Sequence, residues 1–393
     1  MNDVFTPFSY GQVVRRDEFT NRTKEKKLLK DNLMGGNSVI LISPRRIGKS
    51  SLIKQVFTEL EKKKKLAIVQ MDITSFRSEK QFLEEFALKL TQANRSGYKN
   101  FITNLSQTLK HLVPMLSYKA GGLEQISLSF NWNEAKKTKE EILRLPEILS
   151  EQNGKQQLIA IDEFQSISRF ENSESLQYEL RSYWQHQKKS SFCLYGSRRH
   201  MMEELFSNES APFYNFGQIL KLNRISEKDW IPFITSKFSS TGKPISEKYA
   251  KIICEWTQRH TEHVQFLSHI IWTNSPGNKE VGKQQMQKGF LDFLNFTNTH
   301  STDIFDRLSN IQINVLKAIL SGEKQLTRQE SIRKYHLKSS ATALKARKAL
   351  IKEDLLEQLS QTEYRIINPA FEWWFRTKVL KEDILSKISD RLN

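Results

Sequence analysis

Residues 38–51, SVILISPRRIGKSS, run from an apolar stretch straight into a turn with one glycine, one lysine and two serines. Leu52, Ile53, Val56, Phe57 and Leu60 then recur at helical spacing. A buried strand, a tight loop and an amphipathic helix in that order call for a layered α/β architecture with the loop at a strand end. Gly48 lets the backbone curl, and the amides that open the helix then point at phosphate oxygens. Lys49 would bridge a β- and a γ-phosphate, and the Ser50 hydroxyl is a small ligand suited to Mg²⁺. The candidate nucleotide-binding residues here are Ser43, Pro44, Arg45, Arg46, Ile47, Gly48, Lys49, Ser50 and Ser51. Against the pattern G-x-x-x-x-G-K-[ST], Ser43 replaces the first glycine, which a small residue tolerates while its φ stays negative.

Such a loop needs a second strand that brings a carboxylate to the metal, and QQLIAIDEFQSI at 156–167 has the required form. Asp162 would hold Mg²⁺, through water, from the end of a buried strand. Glu163 would orient and deprotonate the attacking water, a role worth on the order of 10² to 10⁴ in rate. Glu163 and Lys49 are therefore the catalytic candidates, and Ser50 and Asp162 the metal ligands.

Three further apolar runs fit the same sheet: LAIVQMDI at 66–73, SFCLYGS at 191–197 and GQILKLN at 217–223. Helical patterns lie between them, so a parallel sheet covered on both faces is expected. Ser197, Arg198 and Arg199 follow the fourth strand, where a polar or cationic group can sense the γ-phosphate. Around Gly121-Gly122 the alternation of SYKAGGLEQISLSFNW reads as a hairpin inserted near 115–132.

Lys and Arg number 61 against 44 Asp and Glu, a formal net charge of +17 that favours anionic partners. The run Lys62 to Lys65 reads as a solvated helix end, where cations oppose the negative end of the dipole. Only Cys193 and Cys254 occur, without a neighbouring metal-ligand cluster, which excludes a disulfide framework or a zinc module. No apolar run approaches the ~20 residues that span a bilayer, and the opening residues lack a signal-peptide pattern, so a cytoplasmic location and no membrane partner are expected.

In their order, PFSYG with FTNRTKEKKLL, then SPRRIGKSSLI, LIAIDEFQSI, SSFCLYGSRRHMM, APFYNFGQILKL and finally INPAFEWWF resemble the archaeal-type ATPases of the STAND class. The resemblance spans nearly the whole chain. It implies an ATP- and Mg²⁺-dependent P-loop NTPase core of the ASCE type, an AAA-like helical lid and a C-terminal winged helix. It also implies that the lead-in segment with Asn21 and Arg22 wraps the adenine end of the nucleotide. Two departures stand out: Asn215 follows the Phe213-Tyr214 pair where an arginine is usual, and the lid motif H-P-Y-Y-V-Q reads His260-Thr261-Glu262-His263-Val264-Gln265. His260 is carried over as a phosphate contact.

The expected division is an ATPase core over 1–225, a helical lid over 226–302, a winged helix over 303–380 and a terminal helix over 381–393. In the winged helix, 311–320, 327–335 and 339–353 read as helices, and 355–360 and 364–367 as strands. Lys345, Arg347, Lys348 and Lys352 fall on the third helix, which could meet DNA phosphates. Two functions follow from these residues. One is a molecular switch that uses MgATP to move lid and winged helix toward a protein partner or a second copy. The other is a DNA-associated motor or loader that grips duplex through the winged helix.

Overall fold

The computed structural model describes residues 6–12, 20–94, 105–118 and 124–392. Two compact units emerge, one made of Thr23–Arg45 with Leu52–Leu222 and the other of Met1–Arg22, Arg46–Ser51 and Asn223–Asn393.

The first unit is built on a five-stranded sheet of β1 (Val39–Ile42), β2 (Leu66–Asp72), β5 (Gln156–Asp162), β6 (Ser190–Gly196) and β7 (Gln218–Lys221), in the order β2-β5-β6-β1-β7. Every pairing is parallel. That is the expected parallel α/β sheet, and its burial follows from its sequence: β1 and β6 are buried at every position, as strands covered on both faces must be. Helices α1 (Thr23–Met34), α3 (Glu79–Ala93), α4 (Ala135–Asn153), α5 (Ser173–Trp184) and α6 (Arg199–Phe206) belong to this unit, and α2 (Lys49–Leu60) runs into it from the loop. An aromatic cluster holds the helices to the sheet, with Trp184 stacked on Phe192 at 4.3 Å and Phe164 edge-on to Phe213 at 5.4 Å. Cys193 is buried in the middle of β6, and Lys62 to Lys65 are exposed beyond the end of α2.

The topology decides where chemistry can occur. β6 lies between β1 and β5, so the strand that feeds the phosphate loop and the strand that ends in Asp162 are one strand apart and point the same way. Ser43, Asp162 and Ser197 all emerge at one edge of the sheet, the edge where open α/β sheets bind ligands. The expected hairpin is present as β3 (Leu112–Tyr118) and β4 (Glu124–Phe130), paired antiparallel; its turn at Gly121-Gly122 lies outside the described residues.

In the second unit, α7 (Glu227–Ser239), α8 (Glu247–Trp256), α9 (Thr261–Asn274) and α10 (Lys283–Phe305) pack around Trp230, Ile253, Trp256, Phe290 and Phe293. Phe8 from the opening segment is buried among them, 5.1 Å from Phe238. The winged helix follows: α11 (Asn310–Leu320), α12 (Gln329–Lys334), α13 (Ser340–Lys352), the antiparallel pair β8 (Leu356–Gln358) and β9 (Tyr364–Ile366), and α14 (Pro369–Lys378). Its boundaries are chemically marked. Ser309 and Gln312 form a reciprocal capping box before α11, Ser339 caps α13, and Asn368 caps α14 with Pro369 in its first turn. The Trp373 indole donates to the Trp256 carbonyl at 2.7 Å, an anchor between winged helix and lid. Helix α15 (Ile384–Leu392) closes the chain against the same helical core.

Candidate functional site

The loop after β1 has the shape its sequence requires. Ser43 is buried at the strand end and its Oγ donates to the Pro44 carbonyl at 3.2 Å, while Arg45 and Arg46 are exposed. Gly48 sits at φ +92°, a conformation that side-chain-bearing residues avoid, and a Cβ there would meet only Thr261 Cγ2, at 3.9 Å. Lys49 opens α2 and is 7% exposed; Ser51 is also buried and Ser50 half-buried. A buried ammonium at the start of a helix, beside the backbone amides of its first turn, is the donor chemistry that a polyphosphate takes.

Two other segments of the same unit hold the loop. Arg22, 3% exposed, donates from Nη2 to the Ile47 carbonyl at 3.1 Å, so the lead-in fixes the loop backbone; Asn21 and Arg22 both adopt positive φ to reach it. From the start of α9, the Glu262 amide donates to the Arg46 carbonyl at 3.2 Å, and its carboxylate lies 3.1 Å from Arg46 Nη1. Burial raises the Glu262 carboxyl above its usual range, with Arg46 pulling the other way. His260 stands at the N-cap position of α9, its ring 4.5 Å from that of His263. Burial, then the charge of His260, Arg46 and Arg224, hold His263 well below the usual imidazole range, so it is neutral. Ligand atoms of His260, Glu262 and His263 lie within 4.8 Å of one another. The Arg46 guanidinium and the positive end of α9 both oppose a cation there, so the trio is better suited to shape the loop than to hold a metal.

The acidic strand end carries its own network. Glu163 has φ +51°, and its amide donates to Asp162 Oδ1 at 2.8 Å, which turns the two carboxylates apart. Ser197 Oγ donates to Glu163 Oε2 at 3.0 Å, and Gln165 Nε2 donates to the same oxygen. Ser197 is thus brought to Glu163. Arg198 is exposed against Met201, and Arg199 pairs with Glu203 on its own helix at 3.3 Å. Tyr195, buried between β1 and β5 beside the Asp162 carboxylate, has its phenol pushed far above the usual range, chiefly by burial. Asn215 adopts φ +56°, a conformation asparagine takes more readily than arginine, which is a backbone reason for the departure at that position.

Oxygen donors suited to a hard cation are present in Ser50 and Asp162, and a hydroxyl with a carboxylate is the donor chemistry Mg²⁺ takes. Sequence reasoning missed Glu262, Gln165 and Gly196. Glu262 and Gln165 lie inside quoted motifs but carry no spacing signal of their own, because the partners of each are distant in sequence or set by side-chain clearance.

The model of an ATPase domain predominantly from Archaea matches residues 19–243, and that of a probable winged helix domain matches 300–377. A Walker-type ATPase of Pyrococcus abyssi is similar in structure over 94% of this chain and 99% of its own, with a TM-score of 0.64 and 16% identity. The ORC2 protein of Aeropyrum pernix, solved in ADPNP and ADP complexes, is similar over 98% of each chain, with a TM-score of 0.52 and 14% identity. At such identities the likeness establishes the fold. No curated protein matches the sequence.

Proposed function

The chain belongs to the family of ATPase domains found predominantly in Archaea, a P-loop ATPase with a winged helix that hydrolyses ATP, and from that premise we propose that it is a STAND-type molecular switch. In this reading Lys49 and the loop amides bind the β- and γ-phosphates, with Ser43, Pro44, Arg45, Arg46, Ile47, Gly48, Ser50 and Ser51 forming the cradle. Ser50 and Asp162 would hold Mg²⁺, which would supply neutralising charge to the phosphate oxygens. Glu163 orients and deprotonates the water, and Ser197 holds the Glu163 carboxylate while it faces the γ-phosphate. Asn21 and Arg22 secure the nucleotide from the lead-in, Arg198 contributes charge and His260 a ring nitrogen toward the phosphates, and Lys49 serves both binding and catalysis.

The observation that supports the switch is two sets of contacts, loop to lid and lid to winged helix, joined by the short stretch of chain from Gln258 to Glu262. Arg46 is joined twice to Glu262 at the start of the lid helix α9. Arg224 donates to the Gln258 carbonyl at 2.8 Å and to the Ile367 carbonyl at 2.9 Å, and Gln258 donates to Glu372 at 2.6 Å. A phosphate that shifts Arg46 therefore acts on lid and winged helix through packed, hydrogen-bonded groups, the differential contact that a ligand-driven transition needs. The test is limited proteolysis of the winged helix with ATP, ADP and no nucleotide; identical cleavage in all three states refutes the switch.

A DNA-associated ATPase is the second reading. Arg328, Arg333, Lys334, Lys338, Lys345, Lys348 and Lys352 are exposed on and around α12 and α13, a basic surface that suits duplex phosphates. Arg347 is taken up elsewhere, its guanidinium 5.1 Å above the Tyr364 ring. ATP turnover measured with and without duplex DNA separates the readings, since only the second requires stimulation. The protein partner or second copy belongs to the first. No helix among the described residues is long and apolar enough to cross a membrane.

A further inference from the structure

Gln165 carries no charge and no step above uses it, yet it is 1% exposed in the short helical turn that follows Glu163. Its amide nitrogen donates to Glu163 Oε2, the oxygen that also accepts from Ser197 Oγ at 3.0 Å. Only the NH₂ end of an amide can face a carboxylate, so chemistry fixes which way round the Gln165 amide sits. Among the described residues its Oε1 then has no hydrogen-bond partner, which costs free energy that an apolar residue here would not incur. The neighbouring strand makes room for it. A Cβ at Gly196 would stand 1.9 Å from Gln165 Oε1, far inside contact distance. Gly196 has no positive φ to explain it; what the position demands is the space that the amide fills.

We propose that Gln165 is a positioning residue for ATP hydrolysis, seated in the gap at Gly196, that fixes the Glu163 carboxylate in its working orientation. This rests on the reading of Glu163 as the general base. A glutamate carboxylate turns freely about its last bond. Two donors converge on Oε2, from Gln165 Nε2 and Ser197 Oγ, and restrain the plane of the carboxylate. With Gln165 the plane is restrained more tightly than Ser197 restrains it by itself.

Steady-state ATP turnover and equilibrium ATP binding by the full chain test the proposal. Gln165→Ala is expected to lower kcat by about 10- to 100-fold, the effect of one lost bond to a charged group, with KM and ATP affinity unchanged. Gln165→Glu keeps the shape but sets a second carboxylate against the first, so one proton is shared and the acid limb of the kcat profile moves to higher pH. Gly196→Ala should lower kcat in the wild-type background and add nothing to Gln165→Ala, because both act on one amide. Wild-type or raised kcat in Gln165→Ala, an unmoved pH profile in Gln165→Glu, or additive losses in the double variant each overturn the positioning role. Full turnover by Glu163→Gln would instead show that the underlying base assignment fails, whatever Gln165 does.

Discussion

Arg46 and Glu262 are joined at both backbone and side chain: the Glu262 amide donates to the Arg46 carbonyl at 3.2 Å and the two side chains pair at 3.1 Å. The first bond is main-chain and survives any substitution but proline at 262, so the side-chain pair can be cut without detaching loop from lid. Arg46 is 59% exposed, and a half-solvated pair is worth about 0.5–1 kcal/mol. A double-mutant cycle of Arg46→Ala and Glu262→Gln, read by denaturation, should return a coupling of that size. The same variants should blunt ATP-dependent protection of the winged helix while ATP turnover persists.

Lys49→Ala removes the buried cation from the helix start and should abolish measurable ATP binding. Glu163→Gln keeps the shape of the acidic strand end and removes the proposed base. Turnover should fall by about 10² to 10⁴ while ATP stays bound. Filter retention of labelled ATP together with single-turnover kinetics distinguishes the two; loss of binding in Glu163→Gln would contradict its assigned role.

His263 makes folding sensitive to acid. Its folded-state pKa is depressed below the ordinary value of 6.5, so above that pH neither state takes up a proton and its full stability is present. As pH falls below 6.5 the unfolded chain protonates and the folded chain does not, and stability drops by up to about 1.4 kcal/mol per pH unit. His263→Phe, which keeps an aromatic ring against His260 and Phe293, should flatten the dependence of the urea midpoint between about pH 7.5 and 5.5. An equal slope in both proteins would refute the assignment.

Arg224 links lid and winged helix with one planar fork. Burial, then repulsion from Arg365, lower its guanidinium to about 10, so it stays charged near neutrality. Arg224→Lys should behave like Arg224→Ala, since an ammonium cannot span both the Gln258 and Ile367 carbonyls. Each should destabilise by about 1.5–3 kcal/mol and speed cleavage between lid and winged helix. Rescue by lysine would show that charge, not the fork, is what counts.

For the DNA reading, Lys345→Glu with Lys348→Glu reverses two exposed charges on α13. If duplex binds there, affinity should fall and the slope of log affinity against log salt should shrink by about 2. Unchanged binding would assign the basic surface to solvent.

How much of this was legible beforehand depended on the range of the interaction. The strand, loop and helix around Gly48 declare themselves because their signals are local: an apolar run, a glycine and helical periodicity within a few residues. The winged helix was legible for the same reason, its caps at Ser309, Ser339 and Asn368 lying next to the patterns they delimit. Glu262 was visible as a departure from a motif, but its tie to Arg46 joins segments far apart in the chain. Gly196 looked like any strand-ending glycine; the need for it exists only once the Gln165 amide occupies the space its Cβ would take. Ser197 was found from its position after a strand, whereas its bond to Glu163 is a side-chain geometry no pattern encodes.

The central place of β1 bears on how the protein is made. Val39 is made well before its neighbours in the sheet, Cys193 and Gln218, so on the ribosome the strand waits for most of this unit to emerge. Joining ends that distant is entropically slow, and a nascent chain with β1 unpaired exposes both hydrogen-bonding edges of an apolar strand. The capacity to hold nucleotide therefore waits on β6 and β7 closing on either side of β1.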